Sequence, residues 1–203
     1  MGETITTVDL MRHGEPVGGE RYRGSLDDPL SAQGWQQMRA VVGGHCPWDM
    51  VLSSPLIRCA AFAREFSEQH SRSLEVIPDF REIGFGSWEG LSIAQIETKQ
   101  PQALHRFWQD PLKYPPPGGE MLSDFRLRVT TAWNKVIRRY YGQHLLLVCH
   151  GGVIRMLLSY VLEIPLNRIW RLAVPYAAVS RVCIYGSGID AKPLLMFHAG
   201  HLG

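Results

Sequence analysis

The sequence predicts an α/β protein, a three-layer α/β/α sandwich around a mostly parallel central sheet. Short apolar, β-branched segments alternate with stretches of helical periodicity, the order expected of parallel strands joined by crossover helices. The chain has 203 residues, of which 45% are hydrophobic and 20% charged, values typical of one globular domain with an apolar core. We therefore treat residues 1–203 as a single domain, with an inserted loop and helical segment at about residues 90–122.

The elements follow from periodicity and from the Gly and Pro residues that punctuate it. Ser31 is a predicted N-cap, and Ser54-Pro55 is a typical helix start. The predicted strands cover residues 4–10, 50–53, 74–77, 145–149, 179–185 and 193–197. The predicted helices cover residues 32–42, the stretch after Pro55, and residues 91–98, 122–141 and 153–162.

Composition and charge exclude several classes of protein. A net charge of +2 is too small to indicate a nucleic-acid or membrane partner. No apolar run approaches the ~20 residues that cross a bilayer, and residues 1–7 lack the features of a signal peptide. The four cysteines are widely spaced, with no zinc-ligand pattern. We expect a cytoplasmic protein with reduced thiols, no metal and an open oligomeric state, a homodimer being one alternative.

Two predicted strands end in nearly the same way. Arg12-His13-Gly14 follows the first strand, and His150-Gly151-Gly152 follows the apolar strand at 145–149. In open α/β sheets, ligands bind beyond the carboxyl ends of the strands, so these histidines are expected to meet. The glycines allow a bound group to approach the backbone N–H donors closely.

Two histidines with arginines nearby suggest phosphoryl chemistry. A neutral imidazole can attack phosphorus and form a phosphohistidine, and arginines can bind the oxygens of the transition state. Arg12 adjoins His13, and Arg58 lies near the start of the helix after Pro55. The leaving oxygen also needs a proton. Glu82, in an apolar, glycine-rich loop, is the candidate acid because partial burial would keep it protonated.

These motifs resemble those of the histidine phosphatase superfamily, which has the phosphoglycerate mutase-like fold. The resemblance covers nearly the whole chain and implies that His13 is the phosphorylated nucleophile, Glu82 the proton donor and then the base, and Arg12, Arg58 and His150 the phosphate pocket. It also implies that hydrolysis needs no metal or organic cofactor. The motifs that carry it are Leu10 to Glu15, Arg23 to Ser31 with Gly34, Leu52 to Cys59, Glu82 to Gly90, Pro117 to Glu120, and Cys149 to Arg155.

Within this family, the compact length and the Trp88-Glu89-Gly90 loop resemble the branch that contains alpha-ribazole phosphatase and broad phosphomonoesterases. Many relatives have an asparagine where this chain has Gly19, and a serine where it has Met121. The resemblance therefore implies a phosphomonoester hydrolase, with alpha-ribazole 5'-phosphate, an intermediate of cobalamin synthesis, as one candidate substrate.

The expected partner is a small phosphorylated metabolite. Arg21 and Arg23, in the first long loop, are assigned to its non-phosphate part together with Gly24, the alternative being a solvated charged loop. Gly151 is assigned to the same site through its backbone. Two other functions stay open: a phosphoglycerate mutase-type phosphoryl transfer, and a non-catalytic binding or scaffold member of the fold.

Overall fold

The computed structural model describes residues 4–188, 191–200 and 202. Part of the segment on which the signal-peptide prediction rests, residues 1–3, lies outside these ranges. A six-stranded mixed sheet occupies the centre, in the order β3-β2-β4-β1-β5-β6. Its strands are β1 (Ile5–Arg12), β2 (Met50–Ser53), β3 (Ser73–Val76), β4 (His144–Cys149), β5 (Val179–Tyr185) and β6 (Lys192–Gly200).

The first four strands in that order run parallel to one another, and the last two are antiparallel additions at one edge. The prediction of a mostly parallel α/β sheet is therefore confirmed. The sequence predicts both edge strands but not their direction. Strand β5 pairs antiparallel with β1, and β6 pairs antiparallel with β5. The connection from residue 185 to residue 192 is too short for the crossover helix that a parallel pair of β5 and β6 would need.

In the described part of the chain, six α-helices cover the two faces of the sheet. The side chains of β4 alternate between these faces, as the period of two in a strand requires. Leu146 and Val148 pack with the first two helices, whereas Leu145 and Leu147 pack with the later ones. The helices are α1 (Ala32–Val42), α2 (Ile57–Gln69), α3 (Ile93–Lys99), α4 (Pro101–Gln109), α5 (Leu122–Arg139) and α6 (Gly151–Val161).

Local signals explain several helix starts. Ser31 caps α1 by accepting a hydrogen bond from the N–H of Gly34 (3.0 Å), as its position predicts. Ser92 and Gln95 form a reciprocal capping box at the start of α3. Between residues 90 and 122 the chain forms α3, α4 and a proline-rich loop.

Two of the boundaries that differ from the sequence prediction bear on the site. Strand β1 continues to Arg12, because Met11 and Arg12 pair with Val148 and Cys149 of β4. Helix α6 begins at Gly151, directly after β4, instead of at residue 153. His13 and His150 are therefore the first residues beyond two paired, parallel strands.

None of the helices in the described part of the chain is long and apolar enough to cross a membrane.

Candidate active site

The two histidines that end β1 and β4 lie against each other. Their ring centroids are 5.2 Å apart, with an interplanar angle of 64°. Both rings are buried, and the backbone N–H of His13 donates to the carbonyl of Cys149 (3.0 Å), which ties the first residue after β1 to the end of β4. The sheet thus brings together two residues that are far apart in sequence.

The hydrogen bonding of His13 determines which ring nitrogen can react. Nδ1 lies 2.7 Å from the carbonyl oxygen of Gly14, and a carbonyl only accepts, so Nδ1 carries the proton and Nε2 has a free lone pair. Burial lowers the pKa of His13 well below its usual value, and the cations of Arg12 and Arg58 lower it further. The imidazole is therefore neutral at physiological pH, as a nucleophile must be.

The ring of His150 is held by Ser54. Its Nε2 lies 2.6 Å from the Ser54 hydroxyl oxygen, which also accepts a hydrogen bond from the N–H of Leu56 (3.3 Å). Burial, followed by the charge of Arg58, lowers the pKa of His150 well below its usual value. Ser54 belongs to the Ser-Ser-Pro motif, but the sequence alone did not indicate that it contacts this histidine.

Near the two histidines, Arg12 and Arg58 each have an Nε–H donor without a hydrogen-bond partner among the described residues. Arg58 is fully buried, and its terminal nitrogens donate to the carbonyls of Gly24 (3.1 Å) and Leu26 (2.8 Å). The guanidinium of Arg12 stacks on the ring of Tyr176 at 4.0 Å. The Nε atoms of both arginines are buried and have no hydrogen-bond partner among the described residues. Such donors are available to an anion.

Glu82 is held at the start of α6. Its carboxylate accepts hydrogen bonds from the N–H of Gly152 (2.9 Å) and from that of Ile83 (3.0 Å). A Cβ atom on residue 152 would lie 2.2 Å from Glu82 Oε1, so the carboxylate approaches this closely only because Gly152 has no side chain. Oε2 thereby pairs with one of the N–H groups at the start of α6 that have no partner within the helix.

A second carboxylate, Glu89, joins the loop of Glu82 to the first long loop. It accepts hydrogen bonds from the N–H groups of Gly24 (2.9 Å), Ser25 (3.0 Å) and Leu26 (3.2 Å), and from that of Phe85 (2.9 Å). The carbonyls of Gly24 and Leu26 are those that hold Arg58. Glu89 thus holds the loop whose carbonyls position Arg58.

The residues assigned to substrate binding have different environments. Arg23 is a correction, because its Nε, Nη1 and Nη2 donate to Asp28, Gly19 and Val17, so the guanidinium organises its own loop instead of facing a ligand. Arg21 is partly exposed, and its Nε lies 4.0 Å from Asp28 Oδ2 but has no hydrogen-bond partner among the described residues.

The two assigned glycines lie at the site. The carbonyl of Gly24 holds Arg58, and its N–H donates to Glu89. A Cβ atom on Gly151 would lie 2.9 Å from Arg155 Nη1 and 3.4 Å from Arg12 Nε, so residue 151 lies between two guanidinium groups. Arg155 is a further cation of this region that sequence reasoning did not assign, although it belongs to the quoted motif.

Several side chains near the site are packing residues. Tyr22 packs edge-on against Phe85 (4.8 Å between ring centroids), and burial raises its pKa to about 12. Trp88 is fully buried, so it belongs to the core and does not line an open pocket. Cys149 is also fully buried, and burial raises the pKa of its thiol, which keeps it protonated and unreactive.

Together these groups can bind an anion and place a carboxyl group beside it. The imidazoles of His13 and His150, the half-buried Arg12 and the buried Arg58 lie close together, and the carboxyl group of Glu82 lies at the neighbouring helix start. A cleft of about 280 Å³ beside Glu82 is lined in part by Ser25, Leu56 and Arg81. Among the residues that the structure describes, no group of three His, Cys, Asp or Glu side chains could hold a metal ion.

Comparison with known families shows the family to which the chain belongs. The sequence pattern of the histidine phosphatase superfamily (branch 1) matches residues 8–194. The chain belongs to this superfamily. The match includes each of the histidines, arginines and acidic residues described above.

Three curated relatives show the range of the family. The chain is 33% identical over 199 residues to a bifunctional protein of Mycobacterium tuberculosis, covering 95% of this chain and 54% of that protein, so it spans about half the length of that relative. It is 32% identical over 179 residues to phosphoserine phosphatase 1 of Hydrogenobacter thermophilus, covering 84% and 83% of the two chains. It is 27% identical over 179 residues to an adenosylcobalamin/alpha-ribazole phosphatase of Salmonella typhimurium, covering 86% and 89%.

Solved structures of other histidine phosphatases resemble the whole chain. A structure titled mycobacterial hydrolase 2 has a TM-score of 0.87 at 25% identity, covering 100% of this chain and 93% of the other. The native structure of mycobacterial glucosyl-3-phosphoglycerate phosphatase has a TM-score of 0.83 at 25% identity, covering 97% and 99%. The phosphoglycerate mutase-like fold implied by the sequence is confirmed.

Proposed function

We propose that this histidine phosphatase hydrolyses phosphomonoesters through a phosphohistidine on His13. The observation that supports it is the meeting of His13 and His150, whose ring centroids are 5.2 Å apart, with the buried Nε donors of Arg12 and Arg58, which have no hydrogen-bond partner among the described residues. This is the set of groups that a phosphate dianion requires, two cations and a neutral nucleophile.

In the first step, the lone pair of His13 Nε2 attacks phosphorus while the bond from phosphorus to the ester oxygen breaks. Glu82 gives its proton to the departing oxygen, which leaves as a neutral alcohol. Arg12 and Arg58 stay charged throughout and bind the three equatorial oxygens. The hydrogen bond from His13 Nδ1 to Gly14 stabilises the positive charge that develops on the imidazole.

In the second step, the roles of Glu82 reverse. The carboxylate takes a proton from water, and the water oxygen attacks phosphorus as the N–P bond breaks. The electron pair returns to His13 Nε2, and inorganic phosphate leaves. Glu82 is again protonated and the imidazole again neutral, so the cycle closes with one water consumed.

The substrate that we infer is a small phosphorylated metabolite. The cleft beside Glu82 has a volume of about 280 Å³, which suits a small leaving group. Relatives of this chain are named for phosphoserine, for alpha-ribazole and for glucosyl-3-phosphoglycerate. Alpha-ribazole 5'-phosphate is therefore one member of the panel to be tested at matched concentration, together with phosphoserine and sugar phosphates.

Replacing the nucleophile tests the central claim. We expect His13→Ala to abolish phosphate release, and the wild-type protein, quenched with base during turnover, to carry an acid-labile phosphoryl group that this variant lacks. His45→Ala is the control, because His45 is an exposed histidine outside the site. Phosphate release by His13→Ala at the wild-type rate would exclude the proposed nucleophile.

The products separate hydrolysis from the mutase alternative. A hydrolase releases inorganic phosphate in a one-to-one ratio with the alcohol, whereas a mutase returns the phosphoryl group to a second hydroxyl. With a phosphorylated diol as substrate, we expect free phosphate and no isomer by phosphorus NMR. Accumulation of the isomer without free phosphate would assign the protein to the mutases.

A further inference from the structure

One arginine of α5 donates hydrogen bonds to the backbone of the loop that contains Glu82. We call residues 78–89 the acid loop. The Nη1 of Arg128 donates to the carbonyls of Asp79 (2.7 Å) and Arg81 (2.8 Å), and its Nη2 donates to the carbonyl of Glu82 (3.0 Å). These three carbonyls lie immediately before and at Glu82, so a single guanidinium holds the backbone from which the catalytic carboxylate extends.

The same guanidinium is oriented by Glu120. Arg128 Nε donates to Glu120 Oε1 (2.6 Å), and Nη2 donates to Oε2 (2.8 Å), a bidentate pair. The two side chains are only 11% and 18% exposed. Their hydrogen bonds are therefore shielded from water and hold the planar guanidinium in one orientation.

Glu120 also binds the part of the acid loop that follows Glu82 in the chain. Its Oε2 accepts from the N–H of Gly84 (3.2 Å), and its own N–H donates to the carbonyl of Gly84 (2.8 Å). The proline-rich loop before it adds a bond from the N–H of Ser87 to the carbonyl of Pro117 (2.9 Å). The inserted segment is thus joined to the acid loop at Gly84 and Ser87.

We propose that Arg128 and Glu120 are a positioning pair for Glu82: they hold the acid loop so that its carboxylate lies where the leaving oxygen is protonated. This inference rests on the proposed acid role of Glu82. The carboxylate itself has only two protein partners among the described residues, the N–H groups of Ile83 and Gly152. Those bonds orient the carboxylate, whereas the bonds of Arg128 and Glu120 to the acid loop hold its backbone.

The proposal predicts an effect that depends on the leaving group. Lysine at position 128 keeps the charge but presents one ammonium in place of a fork that reaches three carbonyls and two carboxylate oxygens. We expect Arg128→Lys to lower kcat/KM for an alkyl phosphate by about tenfold or more, because its poor leaving group needs the proton. For p-nitrophenyl phosphate, whose leaving group needs none, we expect a loss of less than about threefold.

Three further variants complete the experiment. Arg126→Lys is the matched control, since Arg126 is an exposed arginine on the same helix, and we expect wild-type kinetics. Glu120→Gln should show the same selective loss as Arg128→Lys, to a smaller degree, and serves in its place if that variant does not fold by circular dichroism. In a Glu82→Gln background, Arg128→Lys should add no further selectivity.

The outcomes are distinguishable. Suppose that Arg128→Lys and Glu120→Gln lower kcat/KM equally for both substrates, or for neither, while Glu82→Gln lowers it selectively for the alkyl phosphate. The pair then has no positioning role for Glu82, and the positioning proposal fails alone. If Glu82→Gln itself lowers kcat/KM equally for both substrates, the acid role of Glu82 fails and the positioning proposal fails with it. The phosphohistidine on His13 is tested independently by the trapping experiment above.

Discussion

Two glycines at the site allow close contacts that a Cβ atom would prevent. Gly152 is in contact with the Glu82 carboxylate, and Gly14 is in contact with Gly34 at the start of α1. A Cβ atom on Gly14 would lie 2.1 Å from the carbonyl oxygen of Gly34. The first turn of α1 therefore packs directly on the loop that holds His13. The sequence shows these glycines, but it does not show which groups they contact.

We expect Gly152→Ala to lower activity without lowering stability. The new methyl group would overlap Glu82 Oε1 and displace the carboxylate, whereas alanine is favoured over glycine in a helix by up to about 1 kcal/mol. We predict a loss of about tenfold or more in kcat/KM for an alkyl phosphate, with an unchanged or higher midpoint of urea unfolding. Gly44→Ala is the control, because nothing lies within 4 Å of a Cβ atom there. An active Gly152→Ala enzyme would contradict the described position of Glu82.

At the scale of elements, the strands and helices are regular, but the site is built from the loops between them. Periodicity predicted the six strands because each strand's pattern is local and its side chains alternate between two apolar layers. Loop contacts carry no such pattern. Glu89 binds the N–H groups of residues 24 to 26, which are distant in sequence and are ordinary backbone groups. No feature of the sequence indicates these partners.

Glu89→Gln tests how the two loops depend on each other. Each of its partners is a donor, so an amide nitrogen in place of one oxygen leaves at least one N–H unpaired. We expect the free energy of unfolding to fall by about 1–3 kcal/mol, and KM to rise because the carbonyls of Gly24 and Leu26 no longer hold Arg58 firmly. Urea denaturation and steady-state kinetics measure the two effects. Glu97→Gln, on the exposed face of α3, is expected to change neither; equal effects in both variants would refute the link.

At the scale of the whole molecule, three buried titratable groups couple folding to pH. Burial lowers the pKa values of His13 and His150. Asp9, fully buried in β1, is bound by His144, Arg181 and Trp48. Burial alone would raise the pKa of Asp9, but these hydrogen bonds and the charge of Arg181 outweigh it, and the pKa lies below its usual value.

These directions predict a two-stage loss of stability in acid. Below about pH 6.5 the unfolded chain binds protons at both histidines and the folded chain does not, so the free energy of unfolding falls by up to about 1.4 kcal/mol per pH unit for each histidine. As the pH falls further, past the unfolded pKa of Asp9 and through its folded pKa, protonation of Asp9 removes the stability of its bonds. Urea unfolding between pH 4 and pH 8 measures the first stage, with His45→Asn as the control that keeps the slope. A flat profile would contradict the buried, neutral state of both rings.

The alternation of strands and helices around a mostly parallel sheet was predictable because its causes are local. Apolar strands alternating with helices require crossovers, and glycines after His13 and His150 mark strand ends that a parallel sheet places at one edge. The strand order, the direction of the last two strands, helix α4 and the exact ends of elements such as β1 and α6 needed the structure. Strand pairing extends β1 by two residues, and pairing is a long-range property.

The fold class, the family and the chemical types of the site residues can be read from the sequence, because periodicity, punctuation and motifs lie within a few residues of one another. The contacts of each charged group follow only from the folded chain. It places Arg23 within its own loop, Arg58 against the carbonyls of Gly24 and Leu26, and Arg128 against the carbonyl of Glu82. Arginines look alike in a sequence, and their roles depend on which distant backbone carbonyls the folded chain brings within hydrogen-bonding distance.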